Sequence, residues 1–291
     1  HLLSFEEITR AAKQFVAHGV QKIRLTGGEP LLRPDIVEIV RRINELPLKP
    51  AISLTTNGIR LADMAPDLKA AGLKRVNISL DTLDRERFKK LTFRDRFDDV
   101  IAGIEAAKAS ELLPVKVNAV LMRGVNEDEA IPLLRHAIAN GWSLRFIEQM
   151  PLDAGSAWER GDMVTAAEIH EMLESEFALT PVPSRGSAPA EEFYVDGGPA
   201  TVGIIASVSK PFCEACDRLR LTADGQIRNC LFARDETDIR HVIRDESLST
   251  DERRERIAKL FAQSTIEKLR GHGVNDPLFI QPTRPMSAIG G

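Results

Sequence analysis

The first half of the chain alternates short apolar strands with amphipathic helices. Apolar runs predict five strands, at residues 22–25, 51–55, 75–79, 115–121 and 144–148. The segments between them place apolar residues every three or four positions, which predicts helices such as 61–71 and 97–109. Strands joined by helices run parallel, and no glycine-rich dinucleotide motif is present. The pattern therefore favours a (β/α) barrel or partial barrel over an open sheet.

Polar residues follow four of the predicted strands at the point where each strand ends. They occupy positions 26–30, 55–58, 79–81 and 148–150. The carboxyl ends of parallel strands meet at one rim, where such folds place their binding sites. We therefore expect a pocket at this rim.

The pattern changes after about residue 151. Residues 181–190 are rich in proline, serine, glycine and alanine, which predicts a connector. Short antiparallel strands are predicted beyond it, followed by helices, and these elements are 192–195, 201–207, 218–222, 226–229, 236–244 and 251–262. We therefore expect two domains, an α/β region at 1–180 and a smaller α+β region at 181–291.

Composition narrows the function classes. The chain has 291 residues, of which 43% are hydrophobic, and a net charge of −4, so a sizeable core is expected and general attraction to nucleic acid is not. We find neither an apolar run of about 18 residues nor a secretory signal, so we expect no membrane partner and a cytoplasmic protein. The opening residues predict that the sequence starts part-way into a longer protein.

Three cysteines form the strongest candidate metal site. Cys213, Cys216 and Cys230 lie within one short segment, which argues against a secreted disulfide framework. Three soft ligands suit zinc or an iron–sulfur cluster, although structural zinc normally takes four ligands, and His241 lies in a predicted helix. Spacing alone places zinc slightly ahead of a cluster with one open iron, with unliganded core cysteines third.

Two arginines lie beside the cysteines. Arg218 and Arg220 alternate with Leu219 and Leu221, so in a strand both guanidinium groups leave the same face. One interpretation is a pair of surface ion pairs. The other, favoured by the neighbouring cysteines, is a clamp for phosphate or carboxylate.

Several segments together resemble one enzyme family. They are residues 22–33 with the Gly-Gly-Glu-Pro turn, 54–58, 77–82, 212–222 and the final two glycines. They are similar to the molybdenum cofactor biosynthesis protein A family, the GTP 3′,8-cyclases of the radical S-adenosylmethionine (SAM) superfamily. The resemblance covers essentially the whole chain. It implies an incomplete (β/α)6 TIM-type barrel, its first strand missing from this chain, with a C-terminal iron–sulfur region.

The resemblance also implies roles for individual residues. The positions that match SAM contacts are Gly28, Ser79 and Met150. The positions that match GTP contacts are Arg24, Thr55, Lys116, Arg218, Leu219 and Arg220, with Lys22 and Arg145 among them. The ligands implied for a C-terminal [4Fe–4S] cluster are Cys213, Cys216 and Cys230. The terminal glycines, Gly290 and Gly291, match a family tail that reaches into the barrel and are suspected of a catalytic part.

One departure from the family pattern affects activity. Family members carry a CxxxCxxC motif for a second [4Fe–4S] cluster upstream of the first segment, and this sequence starts after that point. Without that second cluster, which reduces SAM, this sequence is expected to be inactive. The implied reaction is a lyase step in which a 5′-deoxyadenosyl radical takes the ribose C3′ hydrogen of GTP, and the ribose radical then attacks guanine C8. An external electron donor, a downstream molybdopterin-precursor enzyme and a possible homodimer are the further partners implied.

Two alternatives stay open on the sequence. The first is another radical SAM enzyme with an auxiliary cluster, such as a peptide-modifying one. The second is a non-catalytic zinc-bound protein that binds nucleotides or partners. A peptide-modifying enzyme usually has more C-terminal cysteines than three. Iron and sulfide would support the enzyme, and stoichiometric zinc the interaction protein.

Overall fold

An eight-stranded sheet forms the centre of the molecule. The computed structural model describes residues 2–153, 155, 158–183, 185–269, 271 and 273–290. The strands are β1 (Lys22–Leu25), β2 (Ala51–Thr56), β3 (Arg75–Ser79), β4 (Lys116–Val120), β5 (Ser143–Ile147), β6 (Leu179–Pro181), β7 (Glu191–Val195) and β8 (Thr201–Ile205). Their order is β1-β2-β3-β4-β5-β8-β7-β6. The first five strands and β8 are parallel, and β6 and β7 are antiparallel.

Helices connect the parallel strands. They are α1 (Phe5–Ala17), α2 (Ile36–Asn44), α3 (Leu61–Ala71), α4 (Arg85–Thr92), α5 (Phe97–Ala109), α6 (Ala130–Asn140) and α7 (Ala166–Glu174). The first begins at a capping box, in which the Ser4 hydroxyl accepts the Glu7 N–H and the Glu7 carboxylate accepts the Ser4 N–H. One face of the sheet is apolar and packs with these helices in a single core, which includes Leu54, Val117 and Phe146.

Strand β8 corrects one prediction. Residues 201–207 were expected in an antiparallel set of the second region, but Thr201–Ile205 pairs in parallel with β5 and antiparallel with β7. Alternation along the chain identifies a strand but does not select its neighbour, because pairing is decided by packing. The α/β fold class is confirmed as a mostly parallel sheet consistent with a partial TIM-type barrel, without a closed barrel among the described residues. The division at residues 180 and 181 stays a prediction.

A smaller unit follows the main sheet. Its elements are β9 (Arg220–Leu221), β10 (Gln226–Arg228), β11 (Thr237–Asp238), α8 (Arg240–Arg244), α9 (Thr250–Ile266) and α10 (Met286–Ile289). The three strands form an antiparallel sheet in the order β11-β10-β9, and a turn at Asp224 and Gly225 joins β9 to β10. Apolar residues of this unit pack on α1 in a second core. In the described part of the chain, every helix is too short or too polar to cross a bilayer.

Candidate functional site

The face of the main sheet opposite the helices is polar. Strand alternation and register place the following side chains on it, and we call this set the polar face: Lys22, Arg24, Ser53, Thr55, Arg75, Asn77, Ser79, Lys116, Asn118, Ser143, Arg145 and Glu192. The interior of a parallel barrel is normally filled by branched apolar residues. A face with five cations and one carboxylate is instead suited to an anionic ligand.

Charges on distant strands of the sheet act on one another. Strands β1 and β5 are four interstrand spacings apart, which would separate Arg24 and Arg145 by about 19 Å in a flat sheet. Desolvation and the charge of Arg145, with Arg75 and Arg218, nevertheless lower the pKa of Arg24 to about 10. The cations of distant strands therefore face one another across a curved surface, as in a partial barrel.

Lys116 lies among these cations. Desolvation and the charges of Arg145, Arg75 and Arg24 lower the pKa of Lys116 to about 8, and the Glu192 carboxylate opposes the shift. In the part of the chain that the structure describes, Lys116, Arg24 and Arg75 have no carboxylate within ion-pair distance. Uncompensated like charges held together in a partly buried place raise the free energy of the folded protein. An anion would lower it.

Arg145 is the paired member of the polar face. Its Nη2 donates to Glu192 Oε1 at 2.6 Å, and only 8% of its side chain is exposed. Gly203 lies between the two residues in register, and a Cβ there would lie 3.0 Å from Arg145 Cγ. The glycine therefore leaves the space in which Arg145 crosses to Glu192.

Buried polar atoms without partners point to a missing ligand. Among the described residues, such atoms at the polar face and its rim are Asn77 Oδ1, Asn118 Oδ1, Arg145 Nε, Gln149 Oε1 and Arg218 Nε. Buried polar groups are nearly always hydrogen-bonded in folded proteins. Their grouping here fits a polar molecule that supplies both donors and acceptors.

The rim at the carboxyl ends of β1 and β2 is tied together by Glu29. Its carboxylate accepts the Leu31 N–H at 2.9 Å, the Thr56 hydroxyl at 2.7 Å and the Asn57 N–H at 2.8 Å. Gly27 has φ +141°, which disfavours any side chain there. The neighbouring Gly28 is exposed and its backbone is accessible to a ligand. The Gly-Gly-Glu-Pro turn thus presents backbone groups at the rim.

The other two residues matched to SAM contacts also lie at strand ends. Ser79 ends β3 and is exposed, and Met150 follows β5 and packs beside a small apolar cluster. Thr55, matched to GTP, is half-buried near the end of β2. The structure places these residues at one rim, and their roles stay predictions.

Glu148 connects this rim to the cysteine segment. Its buried carboxylate accepts the N–H groups of Ala166 at 2.7 Å, Val208 at 2.7 Å and Ser209 at 2.8 Å, and the Ser209 hydroxyl. These bonds hold the segment that leads to Cys213 against the end of β5. The sequence marked Glu148 only as a polar strand end, because its partners lie far along the chain.

The three-cysteine site, formed by Cys213, Cys216 and Cys230, consists of half-buried thiols. Burial raises the pKa of Cys216, but the backbone N–H and the charge of Arg218 outweigh it and leave that pKa lowered. Arg218 Nη2 donates to Cys216 Sγ at 3.3 Å, and its guanidinium lies 5.0 Å from the centre of the Phe212 ring. A thiol that ionises readily is a good metal ligand.

Arg220 lies within electrostatic reach of two of the thiols. Burial and the charge of Arg218 lower its pKa to about 10, whereas Cys230 and Cys216 act in the opposite direction. A single zinc ion would need its sulfur ligands about 3.8 Å apart. The described residues include no group of three His, Cys, Asp or Glu placed to hold one metal ion. The soft donor set fits an iron–sulfur cluster, and the assignment of these thiols as its ligands stays a prediction.

The end of the chain reaches the rim. A Cβ on Gly290 would lie 2.5 Å from Thr26 Oγ1, and φ at Gly290 is +87°. Both facts require glycine at this position. Gly291 lies outside the described residues.

Sequence reasoning missed two charged residues of the polar face. Arg75 and Glu192 were assigned no role, although Arg75 shares its strand face with Asn77 and Ser79. Alternation within β3 was the signal that would have found it. No sequence signal placed Glu192 on this face, because β7 reaches the parallel strands only through its pairing with β8.

Family models match both halves of the chain. The Radical SAM superfamily model matches residues 1–137, and the model described as Molybdenum Cofactor Synthesis C matches residues 142–273. A GTP 3′,8-cyclase of Streptomyces coelicolor is 55% identical to this chain, covering all of it and 84% of the relative. A GTP 3′,8-cyclase 2 of Mycobacterium bovis is 49% identical over all of this chain and 81% of the relative.

Solved structures support the fold. Streptococcus suis SuiB bound to S-adenosylmethionine is similar with a TM-score of 0.55 at 16% identity, covering 96% of this chain and 60% of that chain. The structure of anSMEcpe with bound AdoMet and Kp18Cys peptide has a TM-score of 0.55 at 15% identity, covering 91% and 75%. At these identities the likeness concerns the architecture alone.

Proposed function

Because this chain belongs to the GTP 3′,8-cyclase family of the radical SAM superfamily, we propose that it converts GTP to the 3′,8-cyclised nucleotide. This lyase reaction opens molybdenum cofactor biosynthesis. Family membership favours this function over a peptide-modifying enzyme or a zinc-bound interaction protein. We place the reaction in the cytoplasm, where thiols such as the three described above stay reduced.

The observation that carries the proposal is the set of unpaired cations on the polar face. The charge of Arg75 lowers the pKa of both Arg24 and Lys116, the charge of Arg24 lowers that of Lys116, and in the described part of the chain none of the three has a carboxylate within ion-pair distance. A triphosphate neutralises several such charges at once and offers oxygens to arginine in a bidentate geometry. We assign the triphosphate to this face, with Lys22, Thr55 and Arg145 beside it.

The nucleoside end of GTP is assigned to the three-cysteine site. Arg218 and Arg220 lie close to these thiols with Leu219 between them in the chain, and the charge of Arg218 also acts on Arg24 of the polar face. When bound, the cofactors supply the radical that abstracts the ribose hydrogen and an iron with one position open to the base. The chain's own residues then hold ribose, base and phosphates in a fixed geometry, away from water.

SAM is assigned to the rim. Gly28 offers an accessible backbone, Ser79 a hydroxyl and Met150 an apolar surface at neighbouring strand ends. We assign Gly290 and the terminal residue a part in closing this rim, since Gly290 lies against Thr26. The electron donor, the enzyme that takes the product and a homodimer remain part of the proposal.

Calorimetric titration with GMP, GDP and GTP under anaerobic conditions tests the site. Affinity should rise with each phosphate by about tenfold or more, since a hydrogen bond to a charged group contributes about 1.5–3 kcal/mol. Arg75→Ala should reduce the gain from the last phosphates. Arg42→Ala, which removes an arginine paired with Glu38 on α2, is the matched control.

Turnover tests the reaction itself. A form of the enzyme carrying the CxxxCxxC segment, given SAM, GTP and a reductant, should release 5′-deoxyadenosine and the cyclised nucleotide. Equal affinity for the three guanosine phosphates would refute the assignment of the polar face. Consumption of SAM without any change in GTP would refute the reaction.

A further inference from the structure

The last described segment crosses the rim between the loops that follow β5 and β1. The Met286 N–H donates to the Leu152 carbonyl at 2.8 Å, beyond the end of β5. Ile289 is buried in the small apolar cluster that includes Leu152. Gly290 reaches Thr26 at the end of β1. We call residues 281–290 the tail.

The tail has little structure of its own to keep it there. Its helix α10 has four residues, and a single helical turn is unstable without tertiary contacts. The burial of Ile289, the Met286–Leu152 bond and a bond of 3.1 Å from Gln281 Nε2 to the Asp153 carbonyl each hold a single point, while the amide of Gly290 bonds within the tail, to the Met286 carbonyl. A further attachment is therefore needed to set its direction.

Arg284 makes that attachment with two carboxylates. Its Nη1 and Nη2 donate to Asp224 Oδ1 and Oδ2 at 3.1 and 2.9 Å. Its Nη2 and Nε also lie 2.8 Å from Glu236 Oε2 and Oε1. The side chain is 29% exposed, so solvent screens the interaction only in part. Two charge-assisted pairs fix both the position and the orientation of the guanidinium.

The two carboxylates are themselves held. Asp224 lies on the turn between β9 and β10 and accepts the Thr222 hydroxyl at 2.6 Å. Glu236 also accepts from Arg228, whose side chain is 2% exposed and whose Nη2 donates to carbonyl groups just after Cys230. The anchor of the tail and the segment after Cys230 therefore share one partly buried ion-pair network.

We propose that Arg284 is a positioning residue that fastens the tail across the rim, so that Gly290 stays against Thr26. The reason this position matters rests on the proposed function, in which the tail closes the site. Arg284 touches neither the polar face nor the rim, so it acts through the tail. Its removal should free the tail without changing the substrate-binding side chains.

Hydrogen–deuterium exchange of the cofactor-loaded enzyme measures the attachment directly. In Arg284→Ala the amides of Met286 and Gly290 should exchange about tenfold to hundredfold faster, the effect of losing a charge-assisted pair. Arg284→Lys keeps the charge without the bidentate geometry, so its exchange rates should lie between those of the wild type and of Arg284→Ala. Asp224→Asn removes the partner charge and should loosen the same amides.

Arg244→Ala is the matched control. Arg244 also makes a bidentate pair, with Glu7 at 2.7 and 3.0 Å, but it joins α8 to α1 and has no contact with the tail among the described hydrogen bonds. The Arg244→Ala variant should leave the exchange rates of the tail amides unchanged. Turnover of Arg284→Ala should fall through kcat, with the dissociation constant for GTP and the iron content unchanged.

Two outcomes separate the anchor from the function of the tail. Unchanged exchange at Met286 and Gly290 in both Arg284→Ala and Asp224→Asn would overturn the anchor. Faster exchange with undiminished kcat would support the anchor and overturn the part that the proposed function gives the tail.

Discussion

Replacing Lys116 by methionine should stabilise the folded protein and weaken GTP binding. Lys116 lies half-buried on the polar face, and the positive charges of Arg145, Arg75 and Arg24 repel its ammonium group. Methionine has a similar length and no charge, so it keeps the packing of the stem while removing the repulsion. A site residue that destabilises its own fold is typical of a site prepared for a ligand.

The pKa shift sets the size of the effect. A fall from 10.5 to about 8 corresponds to an upper limit of about 3 kcal/mol between the charged and neutral forms at pH 7. Desolvation by burial is the largest cause of this shift and repulsion by Arg145 the next, and water on the open side of the sheet reduces both, so a gain of about 1–3 kcal/mol is expected. Loss of a charge-assisted contact to phosphate should weaken GTP binding by about 1.5–3 kcal/mol, or tenfold to a hundredfold.

The stability gain should depend on pH. Below pH 8 Lys116 is protonated in the folded and unfolded states, so the folded protein bears the whole repulsion. Between pH 8 and 10.5 the unfolded state binds more protons, so the wild-type protein becomes more stable as pH rises. The advantage of Lys116→Met should therefore shrink over this range.

Chemical denaturation at pH 7, 8 and 9, with GTP titration by calorimetry, provides the measurement. Lys74→Met changes an exposed lysine just before β3 and serves as the control, with no expected gain. A Lys116→Met variant that is no more stable than wild type at pH 7, or whose gain does not change with pH, would refute the reasoning.

Two further predictions concern the segment between Phe212 and Cys230. Arg218→Ala or Arg220→Ala should weaken GTP binding by about 1.5–3 kcal/mol, and calorimetry showing wild-type affinity for both would return these arginines to a structural role. Replacing the three cysteines by alanine should abolish iron binding by this chain after anaerobic reconstitution, and an unchanged iron content in that variant would contradict the assigned ligands.

Much of the fold and the rim followed from the sequence alone. The order of the strands and of the helices other than α4 in the first half was predicted because apolar periodicity is a local property. The turn at residues 26–30 and the three cysteines were recognisable because each motif lies within one short segment. Lys22, Arg24 and Arg145 were linked to one site only through the resemblance, since nothing local relates them.

Tertiary structure decided which of these elements meet. It made β8 a sixth parallel strand. The choice of partner strand depends on tertiary packing and produces no periodic pattern in the sequence. It brought Arg75 and Glu192 onto the polar face, and it let Arg145 reach Glu192 because Gly203 lacks a side chain between them. It also joined Arg284 to carboxylates 48 and 60 positions away. The charges were visible in the sequence, but their energies depend on distance and burial, which only the folded chain sets.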